Sequence, residues 1–500
     1  MSPPSRLLIV SNRLPFVVAQ DDGAWTLKPG SGGLVNALAP VLAHRGGVWI
    51  GWPGEAIDAG GAWEDLFSCR CRERGYDLVP VLLSDSEVKG FYEGFANGIL
   101  WPLFHDLLDR CDFEPSHWYA YLSANRSFAG AVLENSTPGD FIWVHDYQLI
   151  HVAQALREQT EERRRIGFFL HIPFPPLDIF VKLPWRAQIL NALLAYDLLG
   201  FQTARDSRNF LTCLRHLTPD IEVVDGNGLA EVRIGGRTVH VGAFPIGIDF
   251  RSYEELARSA KVRHRVKELR RLIGPAHLFL GIDRLDYTKG LPERLAAFRN
   301  ALQRYPAMRE RAILYQIVVP SREGVAEYQS LKARIERMVG EINGEFSTPG
   351  WVPVQYHHTS VVRRDLVALY RLASAAFVTS LKDGMNLVAK ELCACQVDGC
   401  AVLILSEFAG AAAQLQCGAL LVNPHDVEGM ADALERAFTM SGEERRQRME
   451  PMRTIVREQD IFWWVDRYLQ AALGEVPEDF RPPKEYFPPF VLDESLLEEP

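Results

Sequence analysis

Two hydrophobic rhythms alternate along this chain. Short apolar runs recur as "RLLIVSN", "GVWIGW", "YDLVPVLL", "DFIWVHDY", "RIGFFLHI" and "DLLGFQT". They continue as "EVVD", "TVHVGAFPIG", "LFLGIDRLD", "ILYQIVVPS", "PVQYHH", "AAFVTS", "AVLILSE" and "GALLVNP". Between many of them, apolar positions fall three and four apart, as in "ERLAAFRNALQRY", "YQSLKARIERMVGEING" and "VEGMADALERAFTM". The first rhythm predicts buried strands and the second amphipathic helices. Their alternation predicts an α/β fold with parallel sheets covered on both faces. So many strands exceed one open sheet, so two doubly wound, Rossmann-like domains are expected.

The expected boundary follows "AFPIGIDF", which gives an N-terminal domain over 1–249 and a C-terminal domain over 250–473. No long Gly/Ser linker separates them, so the two are expected to face each other across a cleft. The aromatic helix "DIFWWVDRYLQAAL" is expected to pack back on the first domain. Residues 474–500 are rich in proline and acid and read as a tail without a core.

Composition narrows the function. Five hundred residues at 47% hydrophobic and 24% charged describe an ordinary globular protein, and no run is long enough to span a membrane. The net charge of −10 and the pI near 5.8 argue against a nucleic-acid partner. The start, "MSPPSRLLIVSNR", lacks the features of a signal peptide. Eight cysteines have neither a disulfide framework nor zinc spacing, which suits a reducing cytoplasm. Arg163–Arg165 read as a solvated surface ahead of a strand.

The chemistry-bearing residues cluster where strands end. Arg13 follows the first strand, where a nicotinamide-binding fold would carry Gly-x-Gly-x-x-Gly. Gly30, Gly32 and Gly33 open a helix and offer backbone N–H groups to a phosphate, although most such loops are only turns. Arg284 and Lys289 in "GIDRLDYTKGL" pair a planar fork with a mobile point charge, a set suited to a diphosphate. A surface pair of Arg284 with Asp283 or Asp286 is the plainer reading. Arg322 ends another strand, with a bridge to Glu323 as its plain alternative. His145, Asp146 and His171 sit at successive strand ends, and Tyr92 and Trp101 in "FYEGFANGILWPLFH" suit either a sugar face or core packing. "SLKDGMNLVAKE" places Lys382, Asp383 and Gly384 between a strand and a helix. Helix capping by Asp383 competes there with ligand binding at a helix N-terminus.

In order, "SNRLPF", "SGGL", the Trp49–Gly54 W-x-G-W-x-G, "FYEGFANGILWPLFH", "HDYQL", "FFLHIPFP", "DLLGFQT", "RLDYTKGLPER", "DGMNLVAKE" and "SEFAGAA" resemble the retaining GT-B glycosyltransferases. The resemblance is greatest to the trehalose-6-phosphate synthase family and spans Arg6 to Leu473. It implies glucosyl transfer from a nucleoside diphosphate glucose, normally UDP-glucose, to glucose 6-phosphate, with retention and with no cofactor or metal. By the same resemblance Arg284 and Lys289 would bind the donor diphosphate and Glu391 the ribose. Asp383 and the amides of Met385, Asn386 and Leu387 would orient glucose and phosphates. His171 would contact the donor glucose, and Gly33 would lie in the loop over the diphosphate. Arg13, Tyr92, Trp101 and Arg322 would grip the acceptor phosphate, with Trp52 nearby and Asp146 on the acceptor sugar. No nucleic-acid or membrane partner is implied, and a homo-oligomer is left open. Lys382 stands where arginine is commoner in the family, "SREGV" replaces a frequent "SRGDV", and "YHHTS" is atypical. A glucosylglycerol-phosphate synthase using glycerol 3-phosphate, and a catalytically silent sugar-phosphate sensor, are the competing readings.

Overall fold

The computed structural model describes residues 6–21, 24–29, 33–54, 75–226, 228–321, 326–475 and 485–486. They divide into two compact α/β units. One takes in the described chain up to Arg263, Lys382–Val397 and the chain from Arg453 through the last helix. The other takes in His264–Leu381 and Asp398–Met452.

In the first unit the strands are β1 (Leu7–Arg13), the hairpin β2 (Phe16–Asp21) and β3 (Ala24–Pro29), β4 (Val48–Trp52), β5 (Asp77–Pro80), β6 (Phe141–His145), β7 (Arg165–Phe169) and β8 (Leu198–Phe201). They end with β9 (Glu222–Val224), β10 (Leu229–Ile234) and β11 (Arg237–Ala243). The main sheet runs β5-β4-β1-β6-β7-β8-β11-β10-β9, parallel from β5 to β11, with β10 and β9 antiparallel at the edge. The sequence pattern misses β10. Glu231 and Arg233 break its apolar run, and its pairing is set by a two-residue turn. Gly235 and Gly236 both take positive φ there (53° and 74°), the geometry that two-residue hairpins favour.

In the second unit β12 (His277–Arg284), β13 (Ala312–Val319), β14 (Val354–His358), β15 (Ala375–Val378), β16 (Val402–Ser406) and β17 (Leu420–Val422) form one parallel sheet, ordered β14-β13-β12-β15-β16-β17. Numbered within the unit this is 3-2-1-4-5-6, the Rossmann order. The parallel core of the first unit has the same order, counting β1, β4, β5, β6, β7 and β8. The expected fold is therefore the observed one: two Rossmann-like sheets of the GT-B type. Each has a switch point where the order reverses, between β1 and β6 and between β12 and β15, and ligands favour that place.

The last helix (Ile461–Leu473) belongs to the first unit. Its Trp464 donates to the Phe244 carbonyl at 3.0 Å, and its Tyr468 hydroxyl donates to the Phe168 carbonyl at 3.0 Å. Tyr468 stacks on Trp143 with ring centroids 4.3 Å apart. Gly167 in β7 and Gly200 in β8 make this fit possible, since a Cβ on either would stand 2.5 or 2.7 Å from Tyr468. Arg164 departs from the expected solvated surface. It is buried, and its Nε donates to Ser136 Oγ at 3.2 Å, because the strand it introduces is interior. No helix among the described residues is long and apolar enough to cross a membrane.

Candidate active site

At the switch point of the first sheet, β1 and β6 pair in register, with Ser11 beside His145. Arg13 closes β1, and its guanidinium lies over two rings, 4.3 Å from the Trp52 centroid and 5.3 Å from that of Tyr92. Its Nη1 also reaches the Gly54 carbonyl at 3.4 Å. The structure thus gathers Arg13, Trp52 and Tyr92 into one cluster.

Tyr92 sits in a feature that no sequence pattern announces. Val88–Leu100 form a π-helix, and the Trp101 N–H closes it onto the Ala96 carbonyl five residues back. Tyr92 and Trp101 are nine positions apart. An i→i+5 helix needs a little over four residues per turn, so nine positions complete about two turns and bring both rings to one side. An α-helix at 3.6 residues per turn would set them on opposite sides. Trp101 packs 5.7 Å from Tyr147, whose hydroxyl bonds Asn97 Oδ1 at 2.7 Å.

Asp146, just past β6, has φ 78° and ψ 166°. That region is essentially glycine's, and a side chain there costs about 1–3 kcal/mol, a strain that concentrates at functional sites. Its Oδ1 accepts the N–H groups of Tyr147 (3.1 Å) and His171 (3.2 Å), which ties the end of β6 to the end of β7. His145 Nδ1 and His171 Nε2 are 3.1 Å apart. Burial lowers the pKa of both, that of His145 well below the usual range with help from His171, and that of His171 to about 3. Both rings are neutral at physiological pH.

The segment Lys382–Val397 is also part of this unit. Lys382 Nζ pairs with Asp106 Oδ2 at 2.6 Å, a partner not evident from the sequence. Gly384 lies tight against the β7 loop, where a Cβ would come within 2.1 Å of the His171 carbonyl oxygen. The helix Leu387–Cys395 is capped by Asn386, not by Asp383. Asn386 takes φ 83° and accepts the Ala389 N–H at 3.1 Å. Its Nδ2 also donates to Asp383 Oδ2 at 3.2 Å, so the capping reading of Asp383 does not hold. Met385 is buried, and Leu387 opens the helix. Glu391 accepts the Tyr253 hydroxyl at 2.8 Å. Lys390 is almost fully buried and donates to the Ile246 carbonyl at 2.5 Å, and burial lowers its pKa to about 7. Arg453 closes the helix, donating to the Cys393 carbonyl at 2.6 Å and the Ala394 carbonyl at 2.8 Å. Gly33 opens the helix Gly33–Arg45, while Gly30 and Gly32 lie outside the described residues.

In the second unit Arg284 is exposed at the end of β12, and Lys289 ends the next turn. The acids beside Arg284 also build the turn. Asp283 accepts from Arg294 Nη1 at 2.6 Å in a buried pair, and Asp286 caps the turn through the Thr288 N–H at 3.0 Å. Gly290 takes φ 60°, and a Cβ there would strike the Thr379 carbonyl at 2.1 Å, so the β12 turn is clamped to the end of β15. Arg284 and Lys289 thus stand at the second switch point. Arg322 lies outside the described residues.

Comparison with known proteins gives a consistent result. The model of glycosyltransferase family 20 matches residues 5–473. Trehalose-6-phosphate synthase of Mycolicibacterium vanbaalenii is 44% identical over 479 residues, covering 94% of this chain and 96% of that protein. The same enzyme of Mycobacterium leprae is 43% identical, covering 95% of each chain. A crystal structure of an α,α-trehalose-phosphate synthase (UDP-forming) from Burkholderia xenovorans, in complex with glucose 6-phosphate, superimposes with a TM-score of 0.85. It is 36% identical and covers 94% of this chain and 100% of its own. A structure from E. coli bound with UDP-2-fluoro glucose gives 0.83 at 34% identity, covering 96% and 100%.

Proposed function

The chain belongs to glycosyltransferase family 20, and on that footing we propose how it moves glucose from a nucleoside diphosphate glucose to glucose 6-phosphate. The product is trehalose 6-phosphate, with configuration retained at the anomeric carbon. UDP-glucose is the donor. Arg284 and Lys289 meet the negative charge that develops on the departing diphosphate, with the N-terminal amides of the helix Leu387–Cys395. Glu391, steadied by Tyr253, holds the ribose hydroxyls. Asp383 and His171 orient the donor glucose, and Gly33 contributes to the loop over the diphosphate. Arg13, Tyr92, Trp101 and Arg322 receive the acceptor phosphate beside Trp52, and Asp146 holds the acceptor sugar. The acceptor attacks from the face the diphosphate leaves, and the departing phosphate oxygen takes its proton. The free thiols of Cys111 and Cys213 suit work in a reducing cytoplasm.

One observation carries the reading of this site. The Asp383 carboxylate is relieved of capping by Asn386, in a loop pressed against His171. Product analysis with UDP-, GDP- and ADP-glucose against glucose 6-phosphate and glycerol 3-phosphate tests the assignment. The expected product is trehalose 6-phosphate from UDP-glucose. Transfer to glycerol 3-phosphate alone replaces it with the glucosylglycerol-phosphate reading. UDP binding without any transfer identifies a silent sensor.

A further inference from the structure

A single directed chain of hydrogen bonds runs through the first unit beneath His171. It begins at the main chain of Ile246, whose N–H donates to Gln202 Oε1 at 3.0 Å. An N–H can only donate, so this bond fixes which end of the Gln202 amide is the oxygen. The amide nitrogen is then the end that meets His171 Nδ1, at 3.4 Å. An amide NH2 carries no acceptor, so His171 Nδ1 must offer its lone pair. The one proton of the neutral ring is therefore on Nε2, facing His145 Nδ1 at 3.1 Å. His145 accepts there and carries its own proton on Nε2, which has no protein partner. The origin of the chain is held from the other side, because Lys390 donates to the carbonyl of the same Ile246. Gln202, His145 and Lys390, which flank the part-buried His171, are each at most 2% exposed.

We propose that Gln202 is a positioning residue for glucosyl transfer, which locks His171 as the neutral tautomer protonated on Nε2. The inference rests on the reading of His171 as a contact of the donor glucose. Positive charge builds on the anomeric carbon as the glycosidic bond breaks. An imidazolium beside that carbon would oppose the transition state. A neutral ring with both nitrogens engaged adds shape without charge. The amide suits this task because it cannot draw a second proton onto Nδ1, as a carboxylate would.

Histidine-selective ¹⁵N labelling and long-range ¹H–¹⁵N correlation read the tautomer directly, with His171 assigned from its loss in His171→Asn. Wild type should show Nε2 protonated and Nδ1 bare from pH 5 to 9. Gln202→Glu should give His171 a second proton below a pKa inside that range. Its kcat should then fall about tenfold per pH unit on the acid side. Titratable groups near this ring include His145, the Asp146 carboxylate on the His171 N–H, Asp383 in the loop against the His171 carbonyl, and Lys390 through Ile246. Gln202→Met keeps the volume and removes both bonds. It should leave His171 a mixture of tautomers and lower kcat about tenfold, with the acceptor KM little changed. A wild-type ring protonated on Nδ1 overturns the proposal, as does a Gln202→Glu enzyme with an unshifted pH profile and an unaltered tautomer. Wild-type protein that transfers no glucose would instead overturn the glucosyltransferase reading, and the spectra would still decide the tautomer.

Discussion

Asp383 and Glu391 bracket the start of one helix, yet neutralising them should have different consequences. Because Asn386 supplies the cap, Asp383→Asn should melt within about 1 kcal/mol of wild type. Its kcat at saturating donor should nonetheless fall at least about tenfold, since the reacting sugar is what it places. Glu391→Gln should mainly raise the donor KM, by about ten- to a hundredfold, the scale of a lost charged hydrogen bond. Steady-state kinetics with both substrates varied, plus a melting curve for each variant, separates these outcomes. An Asp383→Asn enzyme of full activity would remove Asp383 from the site. Lys390 supports a prediction of another kind. Its pKa in the folded chain is about 7, below the ordinary 10.5. Between those values the unfolded chain holds a proton that the folded one lacks, so stability rises with pH across that window. Below pH 7 both states are charged, and the folded state bears the cost of a buried ammonium. The stability of wild type minus that of Lys390→Met should therefore climb by on the order of 1 kcal/mol per pH unit from pH 7 to 9. Urea unfolding at several pH values measures it, and a flat or falling difference would refute it.

The elements differ in how far they announce themselves. Buried parallel strands such as β6 and β12 are legible because both faces are covered, which demands an unbroken apolar run. The strand-end residues Arg13, Asp146, Arg284 and Lys289 are legible for the same reason, since the ends of such runs are where ligands bind. Capping is less legible. Asn386, and not Asp383, caps the helix, and Gly384 between them lies tight against His171. Gln202 gives no such signal, because its partners at positions 171 and 246 are distant in the chain. The π-helix Val88–Leu100 was not legible at all, as its period matches neither rhythm of the sequence. It predicts an unusual sensitivity to length. Deleting Gly98 should let the segment close as an α-helix, in which the eight remaining positions turn Trp101 by about 80° away from Tyr92. The acceptor KM should then rise about tenfold, close to the worth of one aromatic contact, about 1.4 kcal/mol. UDP affinity by calorimetry should stay within about twofold, because this segment carries none of the donor residues. An equal loss of UDP binding would contradict the division of the site.

At the scale of the whole molecule, the first unit is stitched from three stretches of chain. The Tyr468 hydroxyl reaches the main chain of β7 at Phe168 and, at 3.3 Å, that of Leu198 in β8. Tyr468→Phe should cost about 1–2 kcal/mol in urea unfolding, the usual worth of a buried hydrogen bond whose acceptors are left behind. Loss within error would mean that water replaces the hydroxyl. The same arrangement bears on how the protein is made. A ribosome releases the N-terminal sheet hundreds of residues before it releases the helix that covers Trp143. Throughout that interval the nascent sheet presents a bare aromatic face with two glycine-lined troughs, a surface suited to non-native association. Chaperone demand in the cell should therefore track the time taken to translate the second unit. Slow codons placed within residues 264–381 should lower soluble yield, though they alter no amino acid.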